Sequence, residues 1–268
     1  MKEDKTAQQN ISLVVDTQHV DGEAAERIQR IWEIHRPERQ QADEPCGLTL
    51  KLDANGLALL SDGQMLKGDF NAMVSRLNRN NLGQELLVRA AKIKHGADWL
   101  TAIDATAGLG EDSFLLAAAG FHVTLYERNW VMYELLRDAL KRAAQQTELA
   151  EIVQRMRLVQ DDSVQAMQQL QTPPDVILLD PMFPARQKSA LVKKKLQIIQ
   201  KLELPCMDER ELLLAAMTAN PKKVVIKRPV KGPYLAGIKP DYALSGKAVR
   251  FDCMIGPYDR FAKKLAIQ

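Results

Sequence analysis

The stretch LTAIDATAGLGED, residues 100–112, decides the fold. Its first residues, LTAIDAT (100–106), predict a strand, and the segment DSFLLAAAG (112–120) predicts a helix ending at Gly120. Between them, Gly108 and Gly110 let the backbone turn tightly and approach a flat ligand, because a Cβ atom there would block it. A strand, a glycine-rich turn and a helix in this order are typical of a nucleotide-binding α/β unit.

Predicted strands and helices alternate along the rest of the chain. Strands that alternate with helices indicate a mostly parallel sheet covered on both faces, so we predict a Rossmann-like α/β domain over residues 76–268. Ligands of such sheets bind outside the carboxyl ends of the strands. The further strands are predicted at HVTLYE (122–127), MRLVQ (156–160), VILLD (176–180), KKVVIKRP (222–229) and AVRFDCMIG (248–256), with a long helix over residues 130–146.

Residues 1–75 have a different pattern. They contain the apolar segment ISLVV (11–15), a helical pattern over residues 21–36, and two period-two segments in LTLKLDANGLALLSD (48–62). The central Asp-Ala-Asn-Gly predicts a turn between two strands. We therefore expect a small mixed appendage before the main domain.

The composition indicates an ordinary soluble protein, with 46% hydrophobic and 26% charged residues. The net charge of +3 is too small to indicate an anionic partner by itself. The first residues, MKEDKTAQQN, do not resemble a secretory signal, and no apolar stretch reaches the roughly 18 residues of a membrane helix. Cys46, Cys206 and Cys253 lie far apart, which argues against a disulfide framework and a zinc site. We expect a cytoplasmic protein without a metal or a membrane partner.

Acidic residues surround the glycine-rich turn. Glu127 ends the second predicted strand about 20 residues after the turn, where a carboxylate can accept hydrogen bonds from both ribose hydroxyls of a nucleoside cofactor. A dinucleotide fold would have a third glycine where Ser113 stands, and Glu111 and Asp112 at the helix start would repel a pyrophosphate. These acids, with Asp104, suit the sulfonium cation of S-adenosylmethionine.

Two further polar residues follow the third predicted strand. In this topology Asp162 would lie next to the adenine and accept a hydrogen bond from its amine, and Ser163 could bind a neighbouring group. Alternatively, Asp162 is simply the N-cap of the next helix, SVQAMQQL.

The fourth predicted strand ends in DPMF, residues 180–183. This motif resembles the Asp/Asn-Pro-Pro-Tyr/Phe signature of methyltransferases that modify exocyclic amines of bases. Asp180 and the Pro181 carbonyl would accept hydrogen bonds from the amine, and Phe183 would stack on the base. We predict Asp180 and Phe183 as the catalytic residues, although Met182 replaces the usual second proline.

Taken together, DATAGLGED, YERN, LLDPMFP with QKSALVKKK, VIKRP and RFD resemble the RsmJ family, the guanine-N2 methyltransferases of small-subunit (16S) ribosomal RNA. The resemblance extends from about residue 78 to the carboxyl end. It implies a class I methyltransferase fold with a seven-stranded sheet and S-adenosylmethionine as the cofactor. It also implies cofactor contacts at Glu111, Asp112, Glu127, Arg128, Asp162, Ser163 and Asp180.

A basic segment follows the DPMF motif. Six basic residues and no acid occur between Ala185 and Lys201, which favours phosphate binding over a solvated helix face, where acids usually alternate with bases. A second basic cluster surrounds the next predicted strand, and we expect it to contribute to the same phosphate-binding surface. We predict RNA contacts at Arg186, Lys188, Lys193, Lys194 and Lys195, and the second cluster contains Lys222, Lys223, Lys227, Arg228 and Lys231.

Other functions remain open from the residues alone. The acid and the phenylalanine would also suit an adenine N6 or cytosine N4 amine in RNA or DNA. A methyltransferase for a small molecule or a protein needs no lysine cluster, and a nicotinamide dehydrogenase is disfavoured by the acids at the helix start. A non-catalytic RNA-binding module would not need Asp104, Glu127 and Asp180 together. The sequence leaves the oligomeric state open, as well as the choice between free RNA and a ribosomal particle as the partner.

Overall fold

The computed structural model describes residues 11–35, 47–93, 99–181, 198–199, 202 and 208–267. These residues belong to two compact units. The first contains the described residues up to Gly68 together with 198, 199 and 202, and the second contains those from Asp69 to Pro181 and from 208 onward. The predicted division at residue 75 stays a prediction.

Residues 11–35 and 47–68 of the first unit form a small sheet and a helix over Gly22–His35. The strand β2 (Leu48–Asp53) alternates buried and half-buried residues, as expected for a strand with one covered face. Trp32 on the helix donates from Nε1 to the carbonyl of Ile11 at 2.6 Å. The order in the sheet is β1-β2-β3-β4, with β1 parallel to β2 and the other pairs antiparallel. The elements are β1 (Ile11–Val15), α1 (Gly22–His35), β2 (Leu48–Asp53), β3 (Gly56–Ser61) and β4 (Gln64–Leu66).

The second unit is built on a seven-stranded sheet within the described part of the chain. The strand order is β10-β11-β9-β8-β5-β6-β7. Strand β11 runs antiparallel to both of its neighbours, and the other pairs are parallel. The strands are β5 (Leu100–Asp104), β6 (Phe121–Tyr126), β7 (Met156–Val159), β8 (Val176–Leu179), β9 (Lys223–Pro229), β10 (Tyr242–Ser245) and β11 (Val249–Ile255).

Helices cover both faces of this sheet. The central strand β8 is fully buried, and its alternate residues enter different cores: Val176 and Leu178 pack with Phe114, whereas Ile177 and Leu179 pack with Leu213. Both faces of β8 are apolar because helices cover the sheet on each side. The helices are α2 (Arg79–Leu82), α3 (Leu86–Ala91), α4 (Glu111–Ala118), α5 (Trp130–Ala144), α6 (Thr147–Val153), α7 (Ser163–Gln168), α8 (Glu209–Thr218) and α9 (Asp259–Ile267), with 3-10 helices at Phe70–Arg76 and Leu235–Gly237.

The observed architecture confirms the predicted mostly parallel α/β sheet. The seventh strand, β10, could not be recognised from its residues, because YALS is short, lies at the sheet edge and is largely exposed. In the part of the chain that the structure describes, no helix is long and apolar enough to cross a membrane.

Candidate active site

The glycine-rich turn lies at the carboxyl end of β5, in the middle of the sheet. Gly108 and Gly110 both adopt positive φ angles, 54° and 75°. A Cβ atom on Gly110 would lie 2.7 Å from Cδ1 of Leu136, whereas a Cβ on Gly108 would meet nothing within 4 Å. Gly110 is therefore required by close packing against α5. Gly108 instead faces open space, which fits a cradle that a ligand can fill.

Glu127 joins this turn to the end of β6. The side chain is buried, Oε2 accepts a hydrogen bond from the Gly108 N–H at 3.1 Å, and Oε1 accepts one from the Asn129 N–H at 2.8 Å. Asn129 in turn caps α5 by accepting from the N–H groups of Val131 and Met132. The predicted ribose acid thus lies against the glycine turn, and its contact with a ribose stays a prediction.

Asp104 is buried beneath the turn. Its carboxylate accepts a 2.6 Å hydrogen bond from the Ser113 hydroxyl and a 3.1 Å hydrogen bond from the Thr106 N–H. Burial raises the pKa of Asp104 to about 6, with Asp112 and Asp180 adding to the rise and the two hydrogen bonds opposing it. Ser113 stands where a dinucleotide-binding fold has its third glycine, and its hydroxyl hydrogen-bonds to Asp104.

Asp180 follows β8 directly and lies beside the glycine turn. Its backbone N–H donates to the hydroxyl oxygen of Thr106 at 2.7 Å, which joins the ends of β8 and β5. The ammonium of Lys227, on the neighbouring strand β9, lies 2.5 Å from an oxygen of Asp112 and 3.0 Å from one of Asp180. The structure thus brings together two predicted acids and a lysine that was not predicted for the site.

The electrostatics of this cluster follow from burial and proximity. Burial raises the pKa of Asp180, and the neighbouring Asp112 raises it further, while Lys227 opposes the shift. Burial disfavours the Lys227 ammonium, but the attraction of Asp112 and Asp180 outweighs it and raises the pKa of Lys227. Lys227 is therefore a permanent cation at neutral pH.

Asp162 caps a helix, as the simpler interpretation predicted. Its Oδ1 accepts hydrogen bonds from the N–H groups of Val164 and Gln165, at 2.8 and 3.3 Å. Its Oδ2 lies 3.9 Å from Nη1 of Arg128, whose side chain is mostly exposed. Ser163 begins α7, and Glu111 begins α4 with an exposed side chain. Cofactor contacts of these four residues stay predictions.

The second basic cluster does not form the expected phosphate surface. Lys223 donates to the carbonyls of Ala90 and Lys92 at the end of α3, and Arg228 is buried and binds Glu209. Lys227 pairs with Asp112 and Asp180. The predicted phosphate role is therefore wrong for these three residues, because each of them binds a partner within the fold. Lys222 pairs with Asp175 at 2.7 Å, and Lys231 is exposed.

Several predicted residues lie outside the described part of the chain. They are Met182 and Phe183 of the DPMF motif and the predicted RNA contacts Arg186, Lys188, Lys193, Lys194 and Lys195. Their roles stay predictions.

Thr106 and Lys227 are the site residues that sequence reasoning missed. Lys227 has a detectable signal, since a lysine near the end of the apolar strand VVIKRP needs a buried or ionic partner. Thr106 has none, because a threonine in a turn has many ordinary uses.

The residues present fit S-adenosylmethionine. Asp112 and Asp180 lie close enough to raise the pKa of Asp104, and Asp112 also raises that of Asp180, so the edge has an excess of negative charge that a sulfonium cation would relieve. The open space at Gly108 and the acid of Glu127 are where a nucleoside would be held.

Comparisons with known proteins agree with this geometry. A profile described as "Putative SAM-dependent methyltransferase" matches residues 33–255. Ribosomal RNA small subunit methyltransferase J of Thioalkalivibrio sulfidiphilus is 40% identical over 224 residues, which cover 80% of this chain and 88% of that protein. The same-named protein of Aeromonas salmonicida is 47% identical over 170 residues, 63% of this chain and 68% of that protein.

A solved structure shares the fold. The SAM-dependent methyltransferase from Neisseria gonorrhoeae is 30% identical, covers 94% of this chain and 97% of its own, and superposes with a TM-score of 0.70. The glycine turn, the acid after β6 and the acid after β8 thus occur in a class I methyltransferase fold whose cofactor is S-adenosylmethionine. The chain belongs to the SAM-dependent methyltransferases and, within them, to the family of ribosomal RNA small subunit methyltransferase J.

Proposed function

We propose that the protein transfers a methyl group from S-adenosylmethionine to the exocyclic N2 of a guanine in small-subunit (16S) ribosomal RNA. The position of Asp180 carries the proposal. Its N–H binds Thr106, so the acid after β8 lies beside the glycine turn after β5. An acceptor for an amine and the turn that faces the cofactor are therefore at the same edge of the sheet.

The chemistry of the amine explains why a carboxylate is needed. An exocyclic amine is a poor nucleophile because its lone pair is delocalised into the ring. Asp180 and the Pro181 carbonyl would accept hydrogen bonds from its two hydrogens. These bonds would localise the lone pair toward the methyl group instead of leaving it delocalised into the ring. The new N–C bond would replace the S–CH₃ bond of the cofactor, which would leave as a neutral thioether. The nitrogen would lose a proton, and the Asp180 carboxylate is the acceptor that we assign to it.

The cofactor supplies an electrophilic methyl group on a positively charged sulfur. Asp104 and Asp112 would attract that charge, and Glu127 would bind the ribose hydroxyls while it holds the glycine turn. Arg128, Asp162 and Ser163 would lie along the nucleoside, with Asp162 using the oxygen that does not carry the main cap bonds.

The RNA would be held by phosphate contacts from Arg186, Lys188, Lys193, Lys194 and Lys195, and Phe183 would stack on the target base. A base inside a helix must first be flipped out, at a cost of a few kcal/mol that these contacts would offset. The substrate is ribosomal RNA, either free or in an assembling particle, and we place the reaction in the cytoplasm.

The choice of atom comes from the family rather than from the site. An acid with a stacking ring would suit an adenine N6 or cytosine N4 amine nearly as well, because both carry two hydrogens. The relatives are named for small-subunit ribosomal RNA, which supports RNA over DNA as the substrate.

Nucleoside analysis tests the proposal. Small-subunit RNA and small subunits that lack the modification would be incubated with the protein and methyl-labelled cofactor, then digested to nucleosides. Label in N2-methylguanosine is the expected result. Label in N6-methyladenosine or a methylated cytidine would contradict the assigned atom, and no label in either substrate would contradict the activity.

A further inference from the structure

Lys227 connects the two sides of the active site. It projects from β9 near its carboxyl end, and its ammonium lies between Asp112 on α4, 2.5 Å away, and Asp180 after β8, 3.0 Å away. The side chain is 26% exposed and that of Asp180 is 39% exposed, so solvent only partly screens this pair. Lys227 therefore links Asp112, which would face the cofactor, to Asp180, which would face the target nucleobase.

The charges facing Asp180 make this contact important. Asp104 from β5 and Asp112 from α4 are acids near Asp180, while Lys227 and Arg228 from β9 are bases. Arg228 is already paired with Glu209 on α8. Without the Lys227 ammonium, repulsion from the acids would favour protonation of Asp180, and a protonated carboxyl donates a hydrogen bond instead of only accepting one.

We propose that Lys227 is a positioning residue for methyl transfer, which keeps Asp180 as a carboxylate and fixes one of its oxygens so that the other can accept from the substrate amine. This inference rests on the proposed function. In the structure, Oδ2 of Asp180 contacts Lys227, which leaves Oδ1 as the oxygen assigned to the amine. Lys227 does not touch the reacting atoms, so its effect is exerted through Asp180.

Three variants separate this role from simple packing. Lys227→Gln keeps a hydrogen-bond donor but loses the charge, and Lys227→Arg keeps the charge. Lys51→Met is the matched control, because it removes a lysine whose salt bridge with Asp53, 2.9 Å long, belongs to the first unit and has no assigned role in the site. If only packing matters, Lys227→Gln should resemble the control.

The expected kinetic result is a change in the pH profile. In Lys227→Gln, kcat at pH 7 should fall by about 10-fold to 100-fold, and the acidic limb should move to higher pH, since Asp180 binds its proton more tightly. Lys227→Arg should keep the acidic limb of the wild type, and Lys51→Met should keep both that limb and the wild-type kcat. An unmoved limb in Lys227→Gln, or a moved limb in Lys227→Arg, would overturn the proposal.

A second readout does not depend on activity. Carboxylate NMR of the free protein can follow the titration of Asp180, whose resonance is identified by its absence in Asp180→Asn. This titration should occur at higher pH in Lys227→Gln than in the wild type, and equal titration would overturn the proposal. If Lys227→Gln does not fold, the test rests on Lys227→Arg, whose pH profile should keep the acidic limb of the wild type.

Binding of S-adenosylmethionine distinguishes a failure of this inference from a failure of the proposed function. Wild type and Lys227→Gln should both bind the cofactor, with affinities within about 10-fold of each other, because the turn and Glu127 are untouched. A wild type that binds no cofactor or modifies no RNA would remove the proposed function itself, whereas an active enzyme with an unaffected Lys227→Gln variant removes only the role of Lys227.

Discussion

The hydroxyl oxygen of Thr106 accepts a hydrogen bond from the backbone N–H of Asp180 at 2.7 Å. The contact spans two neighbouring strands and 74 positions of the chain. It sets the position of the acid that would hold the amine relative to the turn that would hold the cofactor. A single threonine hydroxyl therefore connects the acid that would bind the amine to the turn that would bind the cofactor.

Removing that hydroxyl should weaken both stability and activity. Thr106→Val keeps the shape but leaves the Asp180 N–H without its acceptor, at a cost of about 1–3 kcal/mol. Urea unfolding and kcat measurements check this, and both quantities should decrease. Thr106→Ser retains the oxygen and should stay close to the wild type; equal losses in Ser and Val variants would contradict the assigned hydrogen bond.

The two glycines of the turn should respond differently to alanine. Gly110→Ala places a Cβ atom 2.7 Å from Leu136 in a backbone with φ of 75°, so we expect a large loss of folding stability. Gly108→Ala meets no neighbour and should cost about 1–2 kcal/mol of backbone strain, but its Cβ would enter the space assigned to the cofactor. Thermal melts and calorimetric titration with S-adenosylmethionine distinguish the two effects. Unchanged cofactor affinity in Gly108→Ala would remove that glycine from the binding site.

Asp104 predicts a pH dependence of cofactor binding. Because its pKa is raised to about 6, the carboxylate is charged above that pH and neutral well below it. A sulfonium cation binds the charged form better, so affinity should increase as pH rises through about 6 and level off above it. Asp104→Asn should remove most of this increase while it keeps an acceptor for Ser113. The same pH dependence in the variant would assign it to another group.

The basic segment after the DPMF motif should act through phosphates. Replacing Lys193, Lys194 and Lys195 together with alanine should weaken RNA binding and reduce the magnitude of the salt slope by about 0.7–0.9 for each phosphate that these lysines neutralise. Binding titrations at several salt concentrations measure the slope, with Lys51→Met as the control. A slope equal to that of the wild type would leave these lysines without a role in phosphate binding.

The local pattern of apolar residues and glycines was sufficient to predict the sheet except for its edge strand β10, because the central strands are apolar and the turns contain glycine. VILLD and KKVVIKRP were recognised as strands, whereas the exposed edge strand YALS lacks that signal. The ionic partners of Lys227 and Arg228 could not be identified from the sequence, because Lys227 pairs with an acid 115 positions away and Arg228 with one 19 positions away. A run of like charges in the sequence therefore became a set of internal ion pairs once the chain folded.

The position of Glu127 could be predicted, since a fixed spacing after the glycine turn places that acid at the end of the next strand in this topology, whereas its contact with a ribose stays a prediction. Its hydrogen bond to the Gly108 N–H agrees with that expectation. Asp162 illustrates the opposite case, because an N-cap and a ligand contact have the same local signature, and the structure shows the cap.

The central claim is that the Asp180 carboxylate orients the amine that receives the methyl group. Single-turnover methylation of small-subunit RNA by Asp180→Asn, with cofactor affinity measured on the same protein, tests it most directly. The account predicts a rate loss of about 10²-fold to 10⁴-fold with folding intact and cofactor still bound. A folded variant that methylates at the wild-type rate would contradict it.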